Sequence, residues 1–174
     1  NNTISGSAFQ SNFNLYLASA ENAPLDYTLE VYPVSGAWDM GTGKVSDNPK
    51  TQDGCSWGWR GESGSSAWTS AGGDWYTDKS GSSQDFLYTS NTDISMDVTN
   101  MVKLWNSSSI DNNGLILKHS SSIEFSSSFV ETNYFSVDTH TIYPPELEFK
   151  WDDSSYATPL TAVTSSDFII SFTN

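Results

Sequence analysis

The chain has 174 residues, with 7 Lys+Arg against 21 Asp+Glu and a formal net charge of −14. That imbalance repels polyanions and excludes wrapping nucleic acid or lying on an anionic membrane as the main role. Charged residues make up only 16% and aromatics 14%, which excludes disorder by composition and describes a folded domain whose Ser- and Thr-rich surface is hydroxylated more than ionised.

Alternation opens the chain. Phe13, Leu15 and Leu17 share one parity against Asn14, Tyr16 and Ala18, the period of a half-buried strand. Ala23-Pro24-Leu25-Asp26 is turn chemistry, after which Tyr27, Leu29 and Val31 alternate with Thr28, Glu30 and Tyr32. The short connection predicts that these two runs pair antiparallel. From Trp38 to about Gly81 periodicity is lost, although Trp38, Trp57, Trp59, Trp68 and Trp75 all fall there together with most of the glycines. A long excursion is predicted, with short strands over residues 56–60 and 75–77. Strand pattern resumes at Phe86 and Tyr88, and again at Ile94, Met96 and Val98.

One helix is predicted near residues 99–106, with Thr99 as its N-cap and Met101 and Trp105 on one inward face. Asp111-Asn112-Asn113-Gly114 then turns the chain into the strand Leu115-Ile116-Leu117-Lys118. Further strands are expected over 123–125 and 129–137, and at Leu147, Phe149 and Trp151 after Pro144-Pro145. Short strands punctuated by turns describe an all-β fold, an antiparallel, jelly-roll-like β-sandwich carrying one short helix. Residues 1–151 are expected to form this module, with Thr99, Met101, Trp105, Leu147, Phe149 and Trp151 in its structural core. Residues 152–174 are expected to be a linker and a strand through Phe168, Ile170 and Phe172 that pairs with a following domain or a neighbour. A start without Met and an end just after an apolar stretch suggest a segment of a longer polypeptide.

Catalytic chemistry finds little purchase. Cys55 is the lone cysteine, which removes an internal disulfide and thiolate zinc clusters; a buried or half-exposed thiol is expected. His119 and His140 are too few for a His-rich metal site, and no Gly-x-Ser-x-Gly elbow accompanies the many serines. Asp74, Asp78 and Asp85 could supply a glycosidase pair, yet among 21 acids some pair meets that spacing by chance. Asp111-Asn112-Asn113-Gly114 has oxygen side chains but lacks the distal Glu of an EF-hand loop. It reads as a self-capping turn, with structural calcium as the alternative. No catalytic residue, metal or cofactor is therefore expected. The tryptophans read first as a second small core capping the sandwich. The alternative is a sugar-stacking groove, with Trp57, Trp59, Trp68, Trp75 and Asp74 as candidate glycan contacts.

Several motifs in order carry a resemblance: Leu15-Tyr16-Leu17, Val31-Tyr32-Pro33-Val34, Trp38 and Gly41, Asp97-Val98-Thr99 with Trp105, Asn112-Asn113-Gly114-Leu115-Ile116-Leu117, and Pro144-Pro145-Glu146-Leu147-Glu148-Phe149. Over about residues 13–151 the chain resembles the DNRLRE family of extracellular β-sandwich modules. Residues 36–44, 134–145 and 148–153 look like the branch formed by large structural proteins of T4-like marine bacteriophages. That resemblance implies a non-enzymatic virion protein: a fibre, a spike, or a decoration on capsid, neck or tail. Its expected partners are other virion proteins or copies of itself, with host surface glycan as the alternative, and its expected location is the extracellular particle. The family's opening strand, of the type S-R-x-L-x-K-F-D, has no match before Phe13. It is expected upstream of Asn1 or from another chain.

Overall fold

The computed structural model describes residues 2–21, 26–44, 46–79, 81–87, 93–121, 124, 131–139 and 141–151. Its elements run α1 (Asn2–Ser5), β1 (Gln10–Leu15), β2 (Leu17–Glu21), β3 (Tyr27–Pro33), β4 (Ser82–Phe86), β5 (Ile94–Asp97), α2 (Thr99–Asn106), β6 (Leu115–His119), β7 (Glu131–Tyr134), a 3-10 turn (Val137–Thr139) and β8 (Glu146–Lys150). All described strand pairs are antiparallel, in the orders β5-β1-β8, β4-β3-β6 and β2-β7. The two three-stranded sheets share one apolar core, so the fold is an all-β sandwich whose main helix is the two-turn α2.

Period-two patterning decides which side chains enter that core. On β3, Tyr27, Leu29, Val31 and Pro33 are buried, while Thr28, Glu30 and Tyr32 take the other face. On β5, Ile94 and Met96 are buried between exposed Ser95 and Asp97. Phe86 of β4 stacks on Tyr27 with ring centroids 4.8 Å apart, and Phe13 and Leu15 of β1 pack in from the opposite sheet. Each such large apolar side chain contributes about 1.5–3 kcal/mol when removed from water. Burial, with Tyr134 alongside, pushes the Tyr27 phenol up to about 12.

Helix α2 closes one end of the core. Met101 is fully buried, Val102 is buried, and the half-buried Trp105 packs against the same cluster. The helix start differs from expectation. Val98 occupies the N-cap position, and Thr99 is the first helical residue rather than the cap. The Thr99 N–H donates to Asp97 Oδ1 at 2.8 Å, which frees the Thr99 hydroxyl to accept the N–H of Ser11 at 2.9 Å. Thr99 thus joins the helix to β1 instead of satisfying the helix's own amides.

The first two strands are also arranged differently. The run through Phe13 and Leu17 is not one strand paired with β3. It breaks at Tyr16, where the Tyr16 carbonyl accepts from the Phe135 N–H at 3.0 Å and the Leu17 N–H donates to Asp93 Oδ1 at 2.8 Å. The chain there leaves the β5-β1-β8 sheet and enters the β2-β7 pair, and β3 pairs with β4 and β6 in another sheet. Alternation fixes a face but not a partner, and sandwiches pass successive strands between layers.

Strand β8 departs furthest from expectation. Its register on β1 places Phe149 opposite Ser11 and Leu147 opposite Phe13, on the core-facing parity. Yet Leu147 is 38%, Phe149 45% and the following Trp151 57% exposed. The expectation that all three lie in the core is corrected. β8 is the outer strand of its sheet, and among the described residues the cover over its inner face is partial, Phe9 stacking on Phe149 at 5.8 Å. Of the strand expected over 123–125, Glu124 is described and lies in a turn, its N–H donating to the Ser120 carbonyl at 3.0 Å; residues 123 and 125, the segment 152–174 and His140 lie outside the described residues.

Candidate functional site

The tryptophan-rich excursion between β3 and β4 holds its shape through backbone bonds and a few side-chain anchors. Its return arm docks on the end of β3: Val34 bridges Trp75, the Ser35 N–H donates to the Asp74 carbonyl at 3.0 Å, and the Tyr76 N–H donates to the Pro33 carbonyl at 3.1 Å. The strands expected over 56–60 and 75–77 are single bridges instead, Trp59 with Ala67 and Val34 with Trp75. The outgoing arm is held by further backbone bonds, the Asp39 N–H donating to the Arg60 carbonyl and the Cys55 N–H to the Asp39 carbonyl, both at 2.7 Å.

Asp74 is the hub. Its Oδ1 accepts the Ser70 N–H at 3.0 Å, and its Oδ2 accepts the Thr69 N–H at 2.9 Å and an Arg60 guanidinium N–H at 2.7 Å. Partial burial opposes its ionisation, but these donors prevail and hold the carboxyl down at about 2. Arg60 lies in turn over the Trp68 ring, 5.5 Å from its centroid. On the outer face of the β3–β6 pair, Lys118 plays a similar part. Its side chain is only 8% exposed, its ammonium sits 2.8 Å from Glu124 and 3.6 Å from Glu30, and it lies 5.6 Å from the centre of the Trp75 ring.

Between these anchors opens a cleft of about 340 Å³, lined by Trp38, Trp57 and Trp68 together with Gly72, Gly73 and Asp74. Trp57 is 62% exposed and Trp38 42%. Gly72 explains how Trp57 is seated: its φ is +97°, its N–H donates to the Trp57 carbonyl, and a Cβ there would lie 2.8 Å from the Trp57 ring. The Trp68 indole N–H donates to the Ser56 carbonyl at 2.9 Å, and that of Trp38 to the Asn113 carbonyl at 2.8 Å. Such a cleft offers flat apolar faces with little free ionic character. It suits stacking against a flat, weakly charged ligand.

Of the candidate glycan contacts, Trp57, Trp68 and Asp74 come together here. Trp59 and Trp75 do not line the cleft; Trp75 covers the outer side of β3, 6.4 Å from the Tyr32 ring. Asp74 borders the cleft, but both its oxygens already hold donors, so it positions the walls. Trp38 is the wall that was not among the candidate glycan contacts, and nothing local to it signals the Asn113 carbonyl 75 residues away. Cys55 is exposed, on the rim shared with a neighbouring basin of about 610 Å³. Asp78 pairs with Lys79 and Asp85 accepts from the Thr28 hydroxyl, so only Asp74 of the three acids reaches the cleft. His119 sits half-buried with its ring edge toward Tyr27. At the Asp111–Gly114 turn, the Gly114 N–H donates to Asn112 Oδ1 at 3.2 Å, a local cap. Among the described residues no three His, Cys, Asp or Glu side chains gather as a metal site, and no helix is long and apolar enough to cross a membrane. No protein-family model, curated protein or solved structure matches the chain.

Proposed function

We propose that this chain is a non-enzymatic structural module of a virion, a β-sandwich element of a fibre, spike or decoration that assembles with copies or neighbours. The observation that carries this reading is β8, an outer strand whose core-facing Leu147 and Phe149, with Trp151 beyond them, are 38, 45 and 57% exposed. A sandwich that leaves its closing strand half-covered is suited to completion by contact with another surface. The similarity of the Asp97–Trp105 and Pro144–Phe149 stretches to DNRLRE-type phage modules points the same way. A net charge of −14 is tolerable on such a particle, because in salt the Debye length falls to about 10 Å or less. Immunogold labelling of purified particles with antibody to residues 1–174 tests the reading. Label confined to one particle substructure supports it, and particles that carry none of the chain contradict it.

The exposed walls of the cleft favour a second reading, adhesion to a neutral glycan through Trp57 and Trp38. A glycan array probed with the parent chain and with Trp57→Ala distinguishes it: binding that the substitution weakens tenfold or more supports adhesion, and identical profiles oppose it.

A further inference from the structure

We infer that the basin beside the tryptophan cleft is the second half of one glycan groove, whose ligand is a neutral, β-linked oligosaccharide of all-equatorial hexopyranose rings. The inference rests on the adhesion reading above and names the ligand class for it. Cleft and basin, about 340 and 610 Å³, share Cys55 and Ser56, both exposed. A chain-like ligand can therefore lie across that common rim.

The two halves differ in chemistry. In the cleft, the Trp38 and Trp68 indole N–H groups already bond the Asn113 and Ser56 carbonyls, and both Asp74 oxygens hold donors. The cleft thus offers mostly ring faces, with aliphatic carbon from Val34, Leu115 and Ile116. A sugar confined there would stack well and leave most of its hydroxyl groups without a protein partner. Ligand sites combine apolar walls with a few placed polar groups, and the basin supplies them. Lys44, Gln52 and Ser63 line it with exposed amine, amide and hydroxyl groups. Arg60, Lys79, Lys118 and Lys150 all hold carboxylates, whereas Lys44 enters no ion pair among the described residues. Asp53, in the same basin, is occupied by the N–H and hydroxyl of Thr42.

The ligand follows from these groups. A net charge of −14 disfavours an acidic glycan, so the sugar is neutral. An all-equatorial hexopyranose carries C–H bonds on both ring faces, so it stacks on an indole whichever side that indole lies. An axial hydroxyl would interrupt one face. The equatorial hydroxyl groups point outward around the ring, where lysine, amide and hydroxyl side chains reach them. β-Linkage keeps such rings in an extended chain, which can pass from Trp57 over the rim to Gln52.

Isothermal titration calorimetry of the 174-residue chain with cellobiose and cellohexaose tests the inference. Cellohexaose should bind at least about tenfold more tightly, as two or more added hydrogen bonds would give. Lys44→Ala combined with Gln52→Ala should bring cellohexaose to within about twofold of cellobiose, whereas Trp57→Ala should weaken both sugars. Maltohexaose, the α-linked isomer of the same composition, should bind at least about tenfold more weakly than cellohexaose. Circular dichroism melts of parent and variants should coincide, since the substituted side chains are exposed. Affinity that does not grow with chain length, a double variant that binds cellohexaose like the parent, or no binding of either sugar would each overturn the inference. Array binding of another glycan that Trp57→Ala removes would then leave the adhesion reading standing without the basin. A blank array together with unbound cellohexaose would end both.

Discussion

Trp105 lays its ring against the core yet leaves its indole N–H buried without a partner. An unmatched buried donor costs about 1–3 kcal/mol, which offsets part of what the ring contributes. Trp105→Ala should therefore destabilise by about 3 kcal/mol, the low end for emptying a large aromatic site, while Trp105→Phe should cost under about 1 kcal/mol. Urea melts of the two variants check the contrast, and equal losses would show that the N–H has found a partner. Asp74 makes a pH argument. Its folded pKa, about 2, lies below the usual carboxylate value, so its contribution is complete above about pH 4 and is lost as pH falls toward 2. Stability should drop across that window through the excursion, and Asp74→Asn should flatten the drop in tryptophan fluorescence. At this scale the sequence was partly legible. An Asp among tryptophans in a Gly-rich stretch suggested a site, but three donors from Thr69, Ser70 and Arg60 make it an anchor, and only the folded turn brings them together.

At the scale of elements, local pattern and long-range pairing separate cleanly. Tyr27, Leu29 and Val31 announce β3 and its buried face, and Met101 and Trp105 announce α2, because period and burial are local properties. Partners are not local. Tyr16 looks like any mid-strand residue until Asp93 and Phe135 meet its flanking amide and carbonyl and turn the chain into another sheet. The helix start shows the same division, since the Thr99 hydroxyl serves Ser11, 88 residues away. Thr99→Val, nearly isosteric, would strand that N–H beside the fully buried Ser11 and should cost about 1–3 kcal/mol in a thermal or urea melt. The excursion behaves as a separate layer. Gly72→Ala forces a side chain into a positive-φ position beneath the Trp57 ring. It should alter Trp57 fluorescence and speed amide exchange across residues 57–72 while leaving the protection of β3 and β5 unchanged. Loss of protection throughout would mean the excursion and the sandwich fold as one unit.

For the whole molecule, the sandwich is a scaffold with two features turned outward, the tryptophan cleft and the β8 edge. Leu147, Phe149 and Trp151 were legible as one face of a strand, and their exposure was not, because burial depends on what the opposing layer places over them. That mismatch between an apolar pattern and an open setting is the strongest indication of assembly in the molecule. Isolated exposed apolar residues are ordinary on protein surfaces, but a core-facing row on a strand that, among the described residues, pairs on one side only is not. Amide hydrogen exchange along β8, followed on the full chain at low and high protein concentration, tests assembly through this edge most directly. Pairing with a second strand would slow the β8 amides that do not bond to β1 by at least about tenfold as concentration rises, with β3 and α2 unchanged. Exchange at β8 that is fast and independent of concentration would contradict it.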